Sequence, residues 1–173
     1  MKSYLFVALL VLLLPTASWS LGTTMELGVR GGIDSTTRHE NYTVGELYYL
    51  QALPWQKQLG PNVTLSTRLD SGVGYLRTDV QDSGWLAVGG DIVFSLLDDV
   101  WELEGGFRPT WMFRHEIGED DFGGPVQFSS HVGTTLNLGQ FSLSYRYQHI
   151  SNSDLYNENP GLDLHLIGLG IRF

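Results

Sequence analysis

Over residues 63 to 75 the chain alternates, with Val63, Leu65, Thr67, Leu69, Val73 and Tyr75 on one side of an extended segment and Thr64, Ser66, Arg68, Asp70, Gly72 and Gly74 on the other. A side-chain period of two is the pattern of a β-strand. Residues 85 to 96 repeat it with Leu86, Val88, Ile92, Phe94 and Leu96. After a turn at 97 to 99, residues 100 to 113 set Trp101, Leu103, Phe107, Trp111 and Phe113 opposite Glu102, Glu104, Arg108 and Thr110. Residues 126 to 138 set Val126, Phe128, Val132, Leu136 and Leu138 against Gln127, Ser129, His131, Thr135 and Asn137. A turn at 139 to 140 then leads to Phe141, Leu143, Tyr145 and Tyr147, interleaved with Ser142, Ser144, Arg146 and Gln148. The final strand carries Ile167, Leu169, Ile171 and Phe173 on one side. Residues 25 to 33 and 42 to 55 complete a set of eight, with a weaker alternation that points to a bulge or a shifted register.

A soluble sandwich would turn its apolar face inward and cover it with a second sheet. Here the polar face carries Arg68, Asp70, Glu102, Glu104 and Arg108, which can pair with one another inside a narrow barrel while the apolar face meets lipid. An open edge would leave backbone groups unpaired in hydrocarbon, so the sheet must close. The expected fold is all-β, an eight-stranded antiparallel transmembrane β-barrel. With both chain ends on the periplasmic side, the longer connections at 34–41, 77–84, 114–125 and 151–162 face outward, and the short turns face inward.

Residues 1 to 20 read as a secretory signal peptide: Lys2, an apolar run from Tyr4 to Leu14, a break at Pro15 and small residues at Ser18 and Ser20. The run is too short to span a bilayer as a helix, and residues 21–173 form the single barrel domain. The 173-residue chain has no cysteine, which excludes a disulfide-stapled secreted scaffold and a lipid-anchored lipoprotein. Its net charge of -9 argues against nucleic acid as a partner. Apolar residues two, four and six positions before the terminal Phe173 match the C-terminal signal read by the barrel assembly machinery of Gram-negative outer membranes.

The residues that suggest chemistry are His149, Ser151 and Asp163. In an extended strand His149 and Ser151 point to the same face, with Cα atoms roughly 6.5 Å apart. Both share the parity of Tyr145 and Tyr147, and Asp163 shares that of Ile167 and Leu169, so all three converge on the lipid face. Polar groups facing hydrocarbon are costly without partners, which suggests a functional cause. In a Ser-His-acid arrangement His149 accepts the Ser151 proton, and Asp163 orients the imidazole and stabilises its charged form. Backbone amides just after Ser151, together with the Asn152 side chain, are the nearest candidates for an oxyanion hole.

The stretch His149, Ile150, Ser151, Asn152 resembles the C-terminal His-x-Ser-Asn signature of the lipid A 3-O-deacylases of the PagL type. The resemblance is concentrated between about Tyr145 and Phe173. It implies an eight-stranded outer-membrane barrel that hydrolyses the 3-O-linked hydroxy fatty acid of lipid A, within lipopolysaccharide, without a metal or organic cofactor. It also implies Ser151 and His149 as site residues, Asn152 beside them as oxyanion or loop support, and a catalytic acid fourteen residues beyond the histidine. That position is Asp163, where the family pattern has Glu.

Other readings compete with this one. His-x-Ser pairs arise by chance at strand ends, and a non-enzymatic structural or adhesion barrel, or an outer-membrane phospholipase or acyltransferase, would have the same size and alternation. Association of the barrel as a homodimer is left open. The segment Arg114 to Asp121 has adjacent carboxylates without the spacing of a calcium loop, and reads as a solvated outer loop. His131 reads as a lumenal hydrogen-bonding residue and His165 as an interfacial anchor. Asn159, Pro160 and Gly161 read as a turn.

Overall fold

The computed structural model describes residues 24–35 and 41–173. The segment 1–20, read from sequence as a signal peptide, and most of the connection at 34–41 lie outside the described residues. Ten strands follow one another: β1 (Met25–Asp34), β2 (Thr43–Gly60), β3 (Val63–Arg77), β4 (Asp82–Leu96), β5 (Trp101–Met112), the short β6 (Glu116–Ile117) and β7 (Asp120–Asp121), β8 (Val126–Leu138), β9 (Phe141–Ser151) and β10 (Leu162–Arg172). Eight of them close an antiparallel barrel in the order β1-β10-β9-β8-β5-β4-β3-β2, and β6 and β7 form a separate hairpin. Met25 and Phe173 exchange backbone hydrogen bonds of 2.9 Å at the closure, so the seam between the first and last strands is paired to its end. No helix among the described residues is long and apolar enough to cross a membrane.

Long connections gather at one end of the barrel (35–42, 78–81, 113–125 and 152–161), and short ones (61–62, 97–100 and 139–140) at the other. The turn after β4 is tight enough to hold Leu97, Asp98 and Asp99 all at positive φ. β2 runs to Gly60, further than its alternation predicts, because residues 52 to 60 pair with β3 through two register shifts, between Ala52 and Gln56 and between Gln58 and Gly60. Those shifts break the period of two just where the sequence pattern weakens.

Hydrophobicity is inverted relative to a soluble protein. Arg108, Asp70 and Gln148 are fully buried, whereas Val29, Leu169 and Val132 are more than half exposed. Inside, Arg146 bonds Asp70 at 2.7 Å and Glu104 at 2.7 Å. Arg108 bonds Glu46 at 2.8 Å and Asp70 at 3.0 Å. Arg68 bonds Asp91 at 2.9 Å, Glu102 at 3.2 Å and also Glu104. The expected pairing of Arg68, Asp70, Glu102, Glu104 and Arg108 is present and is larger than the sequence suggested, since Arg30, Glu46, Asp91 and Arg146 join it. His131 faces inward as expected, its Nε2 3.1 Å from Asp91. Charges so far from water persist because each has several opposite partners.

The charged layer does not fill the lumen. Towards the long-loop end the interior becomes apolar, with Leu76, Trp85, Met112, Ile150, Leu162, Leu164 and Leu166 packed in one cluster. Ile117 and Phe122, from the β6–β7 hairpin and the residue after it, belong to that same cluster, so the third long loop folds over the barrel mouth as a lid of fixed structure. Gly74 makes room for the Trp85 indole, which a Cβ there would overlap.

Candidate active site at the end of the last hairpin

The His-x-Ser-Asn stretch closes β9. Burial alternates along it: His149 and Ser151 are part-exposed, while Ile150 and Asn152 are buried. The pleat therefore turns His149 and Ser151 to the outside, as their parity requires. In the β9–β10 ladder His149 stands directly opposite Asp163. Their side chains meet, with Nδ1 of His149 2.7 Å from Oδ1 of Asp163. A carboxylate at that distance accepts a hydrogen bond from the protonated Nδ1 and leaves Nε2 as the acceptor, the tautomer a general base needs.

The Tyr147 hydroxyl donates to the same Asp163 oxygen at 2.9 Å. One step further from the loops, the Tyr145 hydroxyl and His165 Nδ1 lie 2.6 Å apart. His165 thus has a polar partner on the barrel wall as well as an exposed position. Ser151 is the last residue of β9 and pairs with Phe128 of β8, whose ring stacks on Phe107 with centroids 5.6 Å apart. Among the described residues no hydrogen bond joins the Ser151 hydroxyl to His149. The two side chains share one face two residues apart, and rotation about χ1 of Ser151 changes their separation without backbone movement.

Asn152 is engaged elsewhere. It is fully buried, and its side-chain amide donates to the carbonyls of Phe122 at 3.0 Å and Glu158 at 2.6 Å. Its backbone N–H donates to Oδ1 of Asn159 at 3.1 Å. The residue ties the loop 152–161 to the loop 113–125 and does not direct its donors to the outer face. Asn159, which the sequence suggests only as a turn residue, caps the backbone just past Ser151. Gly161 adopts φ 66°, and a Cβ there would stand 3.1 Å from Cε1 of His149, so the turn glycine leaves space for the imidazole.

The segment at 114–121 holds His115 Nδ1 3.3 Å from Asp121, on the exposed side of the hairpin. His115, Glu116 and Asp121 lie close enough to share an ion, as do the buried Asp70, Asp91 and His131. In the buried group Asp70 and Asp91 are already paired with arginines. In the hairpin Asp121 accepts the Gly123 N–H at 2.7 Å.

On the lipid side of the wall, below Tyr145, a groove of about 580 Å³ lies between Trp101, Leu136, Leu143 and Ile167. Trp101 is fixed there by a 2.6 Å hydrogen bond to Thr134.

Comparison with known proteins agrees with this architecture. The barrel superposes on the crystal structure of the outer-membrane enzyme PagL with a TM-score of 0.74 at 17% identity, covering 84% of this chain and 98% of that one. It superposes on a de novo designed transmembrane β-barrel with a TM-score of 0.55 at 15% identity, covering 87% of this chain and 95% of that one. No curated protein matches the chain in sequence. The family model for lipid A 3-O-deacylase (PagL) matches residues 43–172, which include all of β2 to β10. The chain accordingly belongs to the lipid A 3-O-deacylase (PagL) family of bacterial outer-membrane β-barrel hydrolases.

Proposed function

We propose that the protein removes the 3-O-linked hydroxy fatty acid of lipid A in the outer leaflet of the outer membrane, with Ser151 as nucleophile, His149 as general base and Asp163 as the orienting acid. The observation that carries this reading is the His149–Asp163 contact of 2.7 Å on the outer face of the barrel, two residues from Ser151. A lumenal triad would have no access to a lipid ester, whereas one on the wall meets it directly. The long-loop end faces the medium, which puts the site at the level of the outer leaflet.

In the first step the Ser151 hydroxyl attacks the ester carbonyl and its proton passes to Nε2 of His149. The tetrahedral intermediate collapses, the bond to the sugar oxygen breaks, and that oxygen takes the proton from His149. The acyl group is then bound to Ser151. Water, deprotonated by His149, attacks the acyl-enzyme; the bond from the acyl carbon to Ser151 Oγ then breaks, Oγ takes the proton back from His149, and the hydroxy fatty acid leaves. Asp163 stabilises the imidazolium formed in each half-reaction. Catalytic hydrogen bonds are often long before substrate binds and tighten in the Michaelis complex, which accommodates the unpaired Ser151 hydroxyl. Asn152 supports the loop that sets the position of Ser151. The half-buried Phe128 ring, paired with Ser151 in the ladder, offers apolar wall to an acyl chain lying along the barrel.

Delivery to the membrane involves the opposite end of the last strand. Phe173, with Ile171, Leu169 and Ile167 in step on the outer face, supports recognition by the barrel assembly machinery.

Purified, refolded protein given lipid A in detergent should release free 3-hydroxy fatty acid, and none from glycerophospholipid offered alongside. Release from glycerophospholipid alone would make the protein a phospholipase instead.

A further inference from the structure

Asp163 is a short carboxylate on a wall that faces lipid, so the position of its oxygens depends on what holds them. One of the donors at its Oδ1 is not among the three groups given chemical roles: the hydroxyl of Tyr147, 2.9 Å away. Tyr147 is paired in the ladder with His165, one pleat from the His149–Asp163 pair. Its hydroxyl therefore reaches Asp163 diagonally across the two strands, a separation that an aromatic side chain spans. An interfacial tyrosine with no other role turns its hydroxyl towards water and headgroups. Here it turns to the acid.

The Tyr147 ring is itself supported. It packs against His165 with centroids 5.4 Å apart and planes at 54°, and His165 lies 2.6 Å from the Tyr145 hydroxyl. The column Tyr145, His165, Tyr147 thus leads up the wall to Asp163, each member held by the next. A hydrogen bond to an ionised carboxylate is about twice as strong as one between neutral groups, and in a site facing hydrocarbon it replaces the water that would otherwise solvate the charge.

We infer that Tyr147 is a positioning residue for the deacylation. Its O–H holds the Asp163 carboxylate so that Oδ1 meets Nδ1 of His149, and the ring keeps lipid away from the charged pair. The inference rests on the Ser151-His149-Asp163 reading, and deepens it by naming what fixes an aspartate whose stem is one methylene shorter than the family's glutamate.

The test is a double-mutant cycle in kinetics on refolded protein, with lipid A in detergent micelles: wild type, Tyr147→Phe, Asp163→Ala and the double variant. Folding of each is confirmed by heat-modifiable migration in gels, and the phenylalanine ring preserves the packing on His165. Tyr147→Phe should lower kcat about tenfold, the effect of one charge-assisted hydrogen bond, with KM unchanged. In the Asp163→Ala background the same substitution should cost nothing further. An unchanged kcat in Tyr147→Phe, or an equal loss in both backgrounds, overturns the inference and leaves the triad standing. An Asp163→Ala variant as active as wild type overturns the triad itself, and the inference with it.

Discussion

His149 and Asp163 face each other across the last hairpin of the barrel, Nδ1 to Oδ1 at 2.7 Å, on the side that meets lipid. Direct opposition across a ladder brings Cβ atoms to about 5 Å, so a short aspartate reaches the imidazole without the extra methylene of a glutamate. Asp163→Ala should therefore reduce kcat by about ten-thousandfold, the size of loss seen when the orienting acid of a triad is removed. Asp163→Glu should stay within about tenfold of wild type. Rates of fatty-acid release from lipid A measure both, and a fully active alanine variant would remove Asp163 from the mechanism.

Gly161 supplies a second prediction. Its φ of 66° disfavours any side chain, and a Cβ would stand 3.1 Å from the His149 ring. Gly161→Ala should cost about 1–2 kcal/mol in backbone strain and displace the imidazole, lowering kcat by more than tenfold while the barrel still folds. Thermal unfolding measured beside activity separates the two effects. An alanine variant with wild-type kcat would show that the turn does not constrain His149.

Asn152 joins two loops through the carbonyls of Phe122 and Glu158. Replacing it with alanine leaves both carbonyls short of a donor inside the loop cluster, at a cost of about 1–3 kcal/mol. The expected readout is faster proteolysis within 113–125 and 152–161, with the strands protected. Uniform protection of both loops in the variant would contradict the assigned role.

Arg146 tests the lumen independently of the site. It bonds Asp70 and Glu104 in the buried charge layer, and Arg146→Ala leaves those carboxylates undercompensated at a cost of about 3–5 kcal/mol. Denaturant unfolding in detergent should show that loss, while the specific activity of the remaining folded protein is unchanged. A variant as stable as wild type would mean that water or the remaining arginines compensate fully.

These residues also mark how far the sequence can be read. The barrel is legible because lipid outside and charge inside impose opposite chemistry on neighbouring positions: Phe107 is half exposed beside the fully buried Arg108. The outward pair of His149 and Asp163 follows from the same parity. The apolar half of the lumen does not, since Leu162, Leu164 and Leu166 point inward while Asp163 and His165 point outward, the reverse of the polarity that the rest of the barrel follows. It depends on Ile117 and Phe122 folding over the mouth, a contact set by a distant loop. Tyr147 was hidden for another reason. Parity puts it beside His149, but its bond to Asp163 depends on the register of β9 with β10, which alternation alone leaves undetermined. Asn152 has the neighbourhood of an oxyanion donor in sequence, and only its loop partners reveal a structural task.

The central claim is that Ser151 carries the acyl group, and the lipid A mass spectrum of cells expressing the protein tests it most directly. With wild type and Ser151→Ala present at equal levels as folded barrels in the outer membrane, wild type should convert lipid A to a species lacking one hydroxy-acyl chain, and the alanine variant should leave the spectrum unchanged. The same deacylated species at comparable yield from Ser151→Ala would contradict the account.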